Sequence, residues 1–160
     1  MWGTMENIMG IIDIIPPAPG TENWEDIYMV QEFVDTDLYR IIHSKQPLSI
    51  EHIQYFLYQI LRGLKFIRKS TPLQELRPNR CLLNSNCDLQ LDLEWTGQNE
   101  DYSENITKML VGRWYLAPED MLLCEKTNAM DVWSAGCIFA EMLSREALFP
   151  GEDYISQLTL

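Results

Sequence analysis

A chain of 160 residues, 46% hydrophobic and 22% charged, is enough for one globular domain or part of a larger one, and excludes a disordered or fibrous chain. Asp and Glu number 24 against 12 Lys and Arg, and the net charge of −12 leaves nucleic-acid binding without an electrostatic footprint. There is no apolar stretch of membrane-spanning length and no basic signal-like start.

Cys81, Cys87, Cys124 and Cys137 form no C-x-x-C pair, which fits reduced thiols in the cytoplasm or nucleus. Along the chain, residues 7–15 are a short β-branched run closed by Pro16-Pro17, which predicts a buried strand. Pro16 to Asp26 carries the residues of a loop, and 27–34 predicts a second strand, antiparallel to the first. The period then changes. Asp35-Thr36-Asp37 offers an N-cap before Leu38, Ile41 and Ile42 at helical spacing. Ser49 caps a longer helix with Ile53, Phe56, Leu57, Ile60, Leu61, Leu64 and Ile67 on one face. Arg62, Lys65, Arg68 and Lys69 sit toward its C-terminal pole, where cations are favoured. His43 and His52 have no partner pattern for metal or catalysis and read as helix-surface residues.

Two short strands follow, 81–83 and 89–91, split by the turn Asn84-Ser85-Asn86. No Lys or Arg lies between Arg80 and Lys108, whereas Asp88, Asp92, Glu94, Glu100, Asp101 and Glu104 do; such a block reads as a solvated loop. Helical pattern returns at 117–123 and again at 130–143. In the second, Val132, Trp133, Gly136, Ile138, Phe139, Met142 and Leu143 make the segment apolar nearly all round and predict a buried helix. Glu152-Asp153 offers one more cap.

Strand, loop, strand, acidic turn and a mostly helical remainder is the order of a protein kinase from its fourth strand onward. Five segments carry the likeness: Asp35-Thr36-Asp37-Leu38, the run from Tyr55 to Lys65, Arg113-Trp114-Tyr115-Leu116-Ala117-Pro118-Glu119, the run from Asp131 to Ile138, and Leu148-Phe149-Pro150-Gly151. In this order they resemble MAP kinases, and Asp13-Ile14-Ile15-Pro16-Pro17 is closest to the plant members. The resemblance implies an α+β, partial protein-kinase fold over 1–160. Residues 1–34 would be the remnant of the small-lobe strands and hinge, and 35–160 part of the mainly helical large lobe. No G-x-G-x-x-G occurs in the chain. The family's Gly-rich loop and strand Lys would lie upstream of Met1, and its last helices and acidic docking tail beyond Leu160.

Phosphoryl transfer needs positioning and charge neutralisation more than covalent help. The family uses His-Arg-Asp before Leu-Lys-Pro-x-Asn, and Asp-Phe-Gly after the next hairpin. Anchored on Leu76 and Pro78, the resemblance puts Glu75 at the catalytic base and Arg80 where a metal-binding Asn belongs. A Glu carboxylate sits roughly 1 Å further out than Asp, a misplacement that can cost about 10²-fold. A guanidinium cannot ligate Mg²⁺, and Arg80 is expected to swing toward solvent or an acidic neighbour. The Asp-Phe-Gly slot holds Leu93-Glu94-Trp95. Asp92 falls one residue early, and in a strand a one-residue slip would turn Leu89, Leu91 and Leu93 over together, so these three read as core. The Thr-x-Tyr pair becomes Thr107-Lys108-Met109, and Leu116 replaces an Arg.

What survives is a half-pocket. Gln31, Glu32 and Val34 resemble the gatekeeper and hinge, Leu82 the adenine floor, and Asp37 the ribose contact. ATP would be held weakly there, with no metal ligand assigned and Mg²⁺ lacking one of its partners. Asp131 resembles the anchor of the catalytic-loop backbone and Glu119 the carboxylate that meets a late Arg. The docking groove for MAP-kinase-cascade proteins resembles the surface around Tyr39–Ile42 and the Phe56–Leu64 helix, with Leu38, Tyr55, Tyr58 and Gln59 in the same region. The implied protein is a MAP-kinase-like fragment without phosphotransfer, a binding module or a relic, acting in cytoplasm or nucleus. The alternative is an ATP-dependent Ser/Thr kinase of the MAP kinase cascade with residual activity.

Overall fold

A computed structural model describes residues 7–16, 28–67, 76–93, 112–125 and 127–160. Strands β1 (Ile11–Ile15) and β2 (Tyr28–Gln31) pair antiparallel, with Asp13, Ile14 and Ile15 opposite Val30, Met29 and Tyr28 and a bulge after Ile11. The pairing matches the expectation from sequence; the expected burial does not. Ile12 is 68% exposed, and Ile14, Ile15, Tyr28 and Met29 are exposed with it. Two strands alone offer two open faces, and β-branched composition selects the strand without supplying a cover.

The 7–15 run also divides. Asn7 turns left-handed at φ 72° and Ile8 bridges to Leu91 in the other sheet. The Leu91 amide donates to the Asn7 carbonyl and the Met9 amide to the Leu91 carbonyl, each at 2.9 Å. Asn tolerates this backbone better than a β-branched residue would, which ends the strand at its N-terminal side.

The second sheet has the order β3 (Thr36–Asp37), β4 (Cys81–Leu83) and β5 (Leu89–Leu91), all antiparallel. Asn84 closes the β4–β5 turn: its side-chain oxygen accepts from the Asn86 and Asp88 amides at 2.9 Å. Cys81, Leu83, Leu89 and Leu91 point into the core and are buried, as the alternation anticipated.

Helix α1 (Leu38–Ile42) starts on Asp37, whose carboxylate accepts from the Arg40 amide at 2.9 Å. Helix α2 (Ile50–Ile67) follows Ser49, whose hydroxyl meets the His52 ring nitrogen at 2.9 Å. Its buried face holds Ile53, Phe56, Ile60, Leu64 and Ile67, whereas Leu61 is exposed at the stripe's edge. Gln59 and Gly63 lie on that buried face too. A Cβ at Gly63 would sit 2.7 Å from Leu91 Cδ1 and 3.0 Å from the Asn7 carbonyl, so only glycine lets α2 approach β5 this closely.

Three further helices complete the described fold: α3 (Pro118–Met121), α4 (Asn128–Ser144) and α5 (Tyr154–Thr159). Asp153 caps α5 in a capping box with Ser156. Ile138 and Met142 of α4 join the core, and α2 packs against α4 and β5. The expectation of burial all round α4 is corrected, because Val132, Trp133 and Leu143 are exposed. A helix with apolar residues on every side buries only the faces its neighbours reach. Arg145 ends α4 with φ 66° and donates its guanidinium to the carbonyls of Ile41, Ile42 and Gln46, tying α4 to the end of α1. Among the described residues, no helix is long and apolar enough to cross a membrane.

Candidate functional site

Strand alternation splits the β4–β5 hairpin into two faces. Cys81, Leu83, Leu89 and Leu91 fill the core, so Leu82 and Gln90, which pair across the strands, occupy the other face. The register continues one step beyond the ladder. The Asp92 amide donates to the Arg80 carbonyl at 2.9 Å, and Arg80 Nη1 donates to Asp92 Oδ2 at 3.1 Å. Arg80 therefore takes the acidic-neighbour alternative, and the neighbour is the carboxylate that lies one place before the Asp-Phe-Gly slot. Leu93 packs against the core with Leu89 and Leu91, as the alternating reading required.

The segment before Arg80 is sealed. Leu76 and Arg77 are buried ahead of the 3-10 turn Pro78–Arg80, whose first residue is buried as well, and the Arg80 amide closes that turn on the Arg77 carbonyl at 2.9 Å. Glu75, the residue aligned with a catalytic base, lies outside the described residues, as do Glu94, Trp95 and Thr107. Asp37 is opposite Leu82 in the β3–β4 pair, so the candidate ribose and floor positions are neighbours. The Asp37 carboxylate already accepts the Arg40 amide and lies 3.4 Å from Arg40 Nε. Gln31 and Glu32 are exposed and Val34 is half-buried, on the stretch leading from β2 to β3.

As a metal seat this arrangement offers one carboxylate already neutralised by a guanidinium, and a guanidinium has no lone pair to give. Among the described residues, no cluster of three or more His, Cys, Asp or Glu could hold an ion. The described residues around Arg80 and Asp92 do not by themselves make a seat for Mg²⁺. Burial, with Asp37 close by, pushes the Cys81 thiol far above its usual range, and burial followed by the Glu141 charge takes Cys137 up to about 11. Both stay protonated thiols and neither is an activated nucleophile.

The segments around 113–119, 131 and 148–152 converge. The 3-10 turn Arg113–Tyr115 is held by Trp114 Nε1 donating to the Gly151 carbonyl at 3.0 Å and by Arg113 Nη1 to the Glu152 carbonyl at 3.3 Å. Arg113 also stacks over the Tyr154 ring at 5.0 Å. Asp131 is buried in the first turn of α4, and Glu119 is half-buried in α3.

Of the residues that the resemblance assigned to a docking groove, only some are exposed. Tyr39, Tyr55 and Tyr58 are exposed, the last by 58%, whereas Leu38, Ile42 and Gln59 are buried and unavailable to a partner. Gln59 has a different task. Its Oε1 accepts from the Leu89 amide at 2.8 Å and from Asn7 Nδ2 at 3.0 Å, and its Nε2 donates to the Cys87 carbonyl at 2.9 Å. With the Asn7 bond to the Leu89 carbonyl at 2.7 Å, this buried network ties the 7–9 segment to α2 and β5. Its sequence signal was a polar residue, Gln59, on an otherwise apolar helical stripe. The Arg80–Asp92 pair was legible from hairpin register, since pairing 83 with 89 sets 80 opposite 92.

The protein kinase domain family matches residues 4–159. Mitogen-activated protein kinase 5 of Arabidopsis thaliana is 52% identical over 157 residues, which is 97% of this chain and 42% of the relative. Mitogen-activated protein kinase 4a of Physcomitrium patens is 50% identical over the same shares, and mitogen-activated protein kinase 6 of Oryza sativa subsp. japonica 48%. The chain thus spans about two-fifths of the length of these relatives.

Proposed function

The chain belongs to the protein kinase family as a MAP-kinase-like fragment of the α+β kinase domain, and from that premise we propose that it is non-catalytic: a kinase-like module that binds without transferring phosphate. We assign 1–34 to the small-lobe strands and hinge and 35–160 to part of the large lobe.

The observation that carries the reading is the Arg80–Asp92 ion pair. In-line transfer from Mg-ATP needs carboxylate and amide oxygens free to hold the cation and neutralise developing charge. Here a fixed cation stands on the nearest carboxylate, and two unit charges about 4 Å apart interact by roughly 4 kcal/mol at an effective dielectric near 20. A divalent ion would have to displace that guanidinium and then remain beside it. Glu75 alone, one methylene too long for an Asp site, offers little compensation. ATP is on this reading a weak ligand at most, held by backbone groups near Glu32 and Val34 and by the Leu82 face.

The test is phosphorylation of a generic MAP-kinase substrate by the purified chain with Mg-ATP. Incorporation no higher than that of Glu75→Ala is expected; activity clearly above that control would overturn the proposal.

Binding partners on this reading are MAP-kinase-cascade proteins, met through Tyr39, Tyr55 and Tyr58. The three rings are exposed, and the −12 charge favours basic peptides in a salt-dependent way. Affinity in the tens of micromolar is expected, because association must first offset several kcal/mol of lost freedom. Titration with a docking peptide of a MAP kinase kinase checks it. Tyr58→Ala should weaken binding more than the exposed change Thr127→Ala, and equal effects would leave the chain a relic without this docking role.

A further inference from the structure

Glu141 is a carboxylate near the end of a mostly apolar helix, and it is 1% exposed. Its Oε2 accepts a hydrogen bond from the Tyr115 phenol at 2.6 Å. Ser134 Oγ donates to the Tyr115 carbonyl at 2.7 Å, so both ends of this tyrosine are fastened to α4. Tyr115 closes the 113–115 turn, which in turn holds Gly151 and Glu152 through Trp114 and Arg113.

The groups around Glu141 do not neutralise it. From the turn comes the Tyr115 phenol, and from α4 come Cys137 and Arg145. The Arg145 guanidinium is spent on the carbonyls of Ile41, Ile42 and Gln46. From the end of α1 come Tyr39 and His43; the His43 ring is exposed, stacks on Tyr39 at 4.2 Å and bonds the Tyr39 carbonyl at 2.9 Å. Among the described residues no ion pair reaches Glu141. One phenol is a poor replacement for the water a carboxylate loses on burial. Burial accordingly raises the acid above its ordinary range, with Tyr115 and His43 only partly opposing it.

We propose that Glu141 and Tyr115 form a pH-sensitive latch: protonated Glu141 holds the 113–115 turn on α4, and ionisation of the buried carboxyl opens that turn to water. The latch is independent of whether the chain transfers phosphate. A carboxyl whose folded-state pKa is raised contributes stability fully present below its unfolded value and lost as pH rises through the folded one. The latch therefore loosens with rising pH, opposite in sign to acid unfolding.

Amide hydrogen exchange of the full chain at residues 113–117, compared between wild type and Glu141→Gln at each pH from 5 to 9, tests it. Comparison at equal pH cancels the intrinsic exchange rate. The protection ratio of variant to wild type should climb with pH, by up to about tenfold per unit between the ordinary carboxyl range and the raised folded-state pKa, and level off above it. Tyr115→Phe keeps the ring but removes the phenol that stabilises the anion, so the folded-state carboxyl is raised further and the loss of protection should extend to higher pH than in the wild type. A flat Glu141→Gln ratio overturns the latch. If Glu141→Gln does not fold, a loss of protection in Tyr115→Phe that ends at the same pH as in the wild type overturns it equally.

Discussion

Two hairpins in this chain make opposite use of similar residues. β4–β5 has three residues in each strand, yet Cys81, Leu83, Leu89 and Leu91 are all buried. β1–β2 has longer strands, richer in Ile, and leaves most of them exposed. The difference is what lies across each face. The first hairpin is backed by α2, closed by Asn84 and bordered by β3 and the 7–9 segment. The ribbon has strand pairing without a covering layer, and pairing alone is marginal in water. Burial depends on the neighbours in space, not on strand length or hydrophobicity.

The sharpest test contrasts truncations in the two hairpins. Leu91→Ala empties a fully buried site and should lower stability by about 2–5 kcal/mol in urea unfolding, whereas Ile12→Ala in the ribbon should change it by less than about 0.5 kcal/mol. Comparable losses would mean that the ribbon is covered in solution. Next comes the approach of α2 to β5. Gly63→Ala places a methyl against Leu91 and the Asn7 carbonyl and should cost about 1–3 kcal/mol of overpacking, read as a lower denaturation midpoint at unchanged slope.

The polar network gives a similar or smaller effect. Gln59→Leu removes three hydrogen bonds and leaves the Leu89 amide and Cys87 carbonyl without them, a loss of about 1–3 kcal/mol. Its signature is loss of exchange protection at Leu89 and Leu91 with the ribbon unaffected. Smallest is the ion pair at the hairpin's far end. Arg80→Ala should destabilise by about 1 kcal/mol, because Asp92 keeps some contact with water and is only partly stranded when its partner goes. A loss above 2 kcal/mol would show that the pair is a structural strut as well as an obstacle to a cation.

Much of this was readable beforehand because it depends on local or periodic physics. The Asp37 and Asp153 caps, the α2 stripe and the β4–β5 turn follow from residues a few positions apart, where hydrogen bonding and side-chain period decide. The alternation of Leu89, Leu91 and Leu93 likewise separated core from site face. The order of the segments pointed to the kinase family, which residues 4–159 match.

The tertiary structure decided the rest, because those outcomes are set by residues far apart in the chain. Gln59 stands out as a polar residue on an apolar stripe, but its partners are known only once Asn7 and Leu89 are brought to it across 52 and 30 positions. The role of Arg145 has no local signal, since the carbonyls of Ile41 and Ile42 that it meets lie more than 100 residues away in sequence. The exposed side of α4 and the open ribbon follow from which neighbours reach each face. Sequence period fixes the direction in which a side chain points; only the packed chain determines whether protein or water is there to meet it.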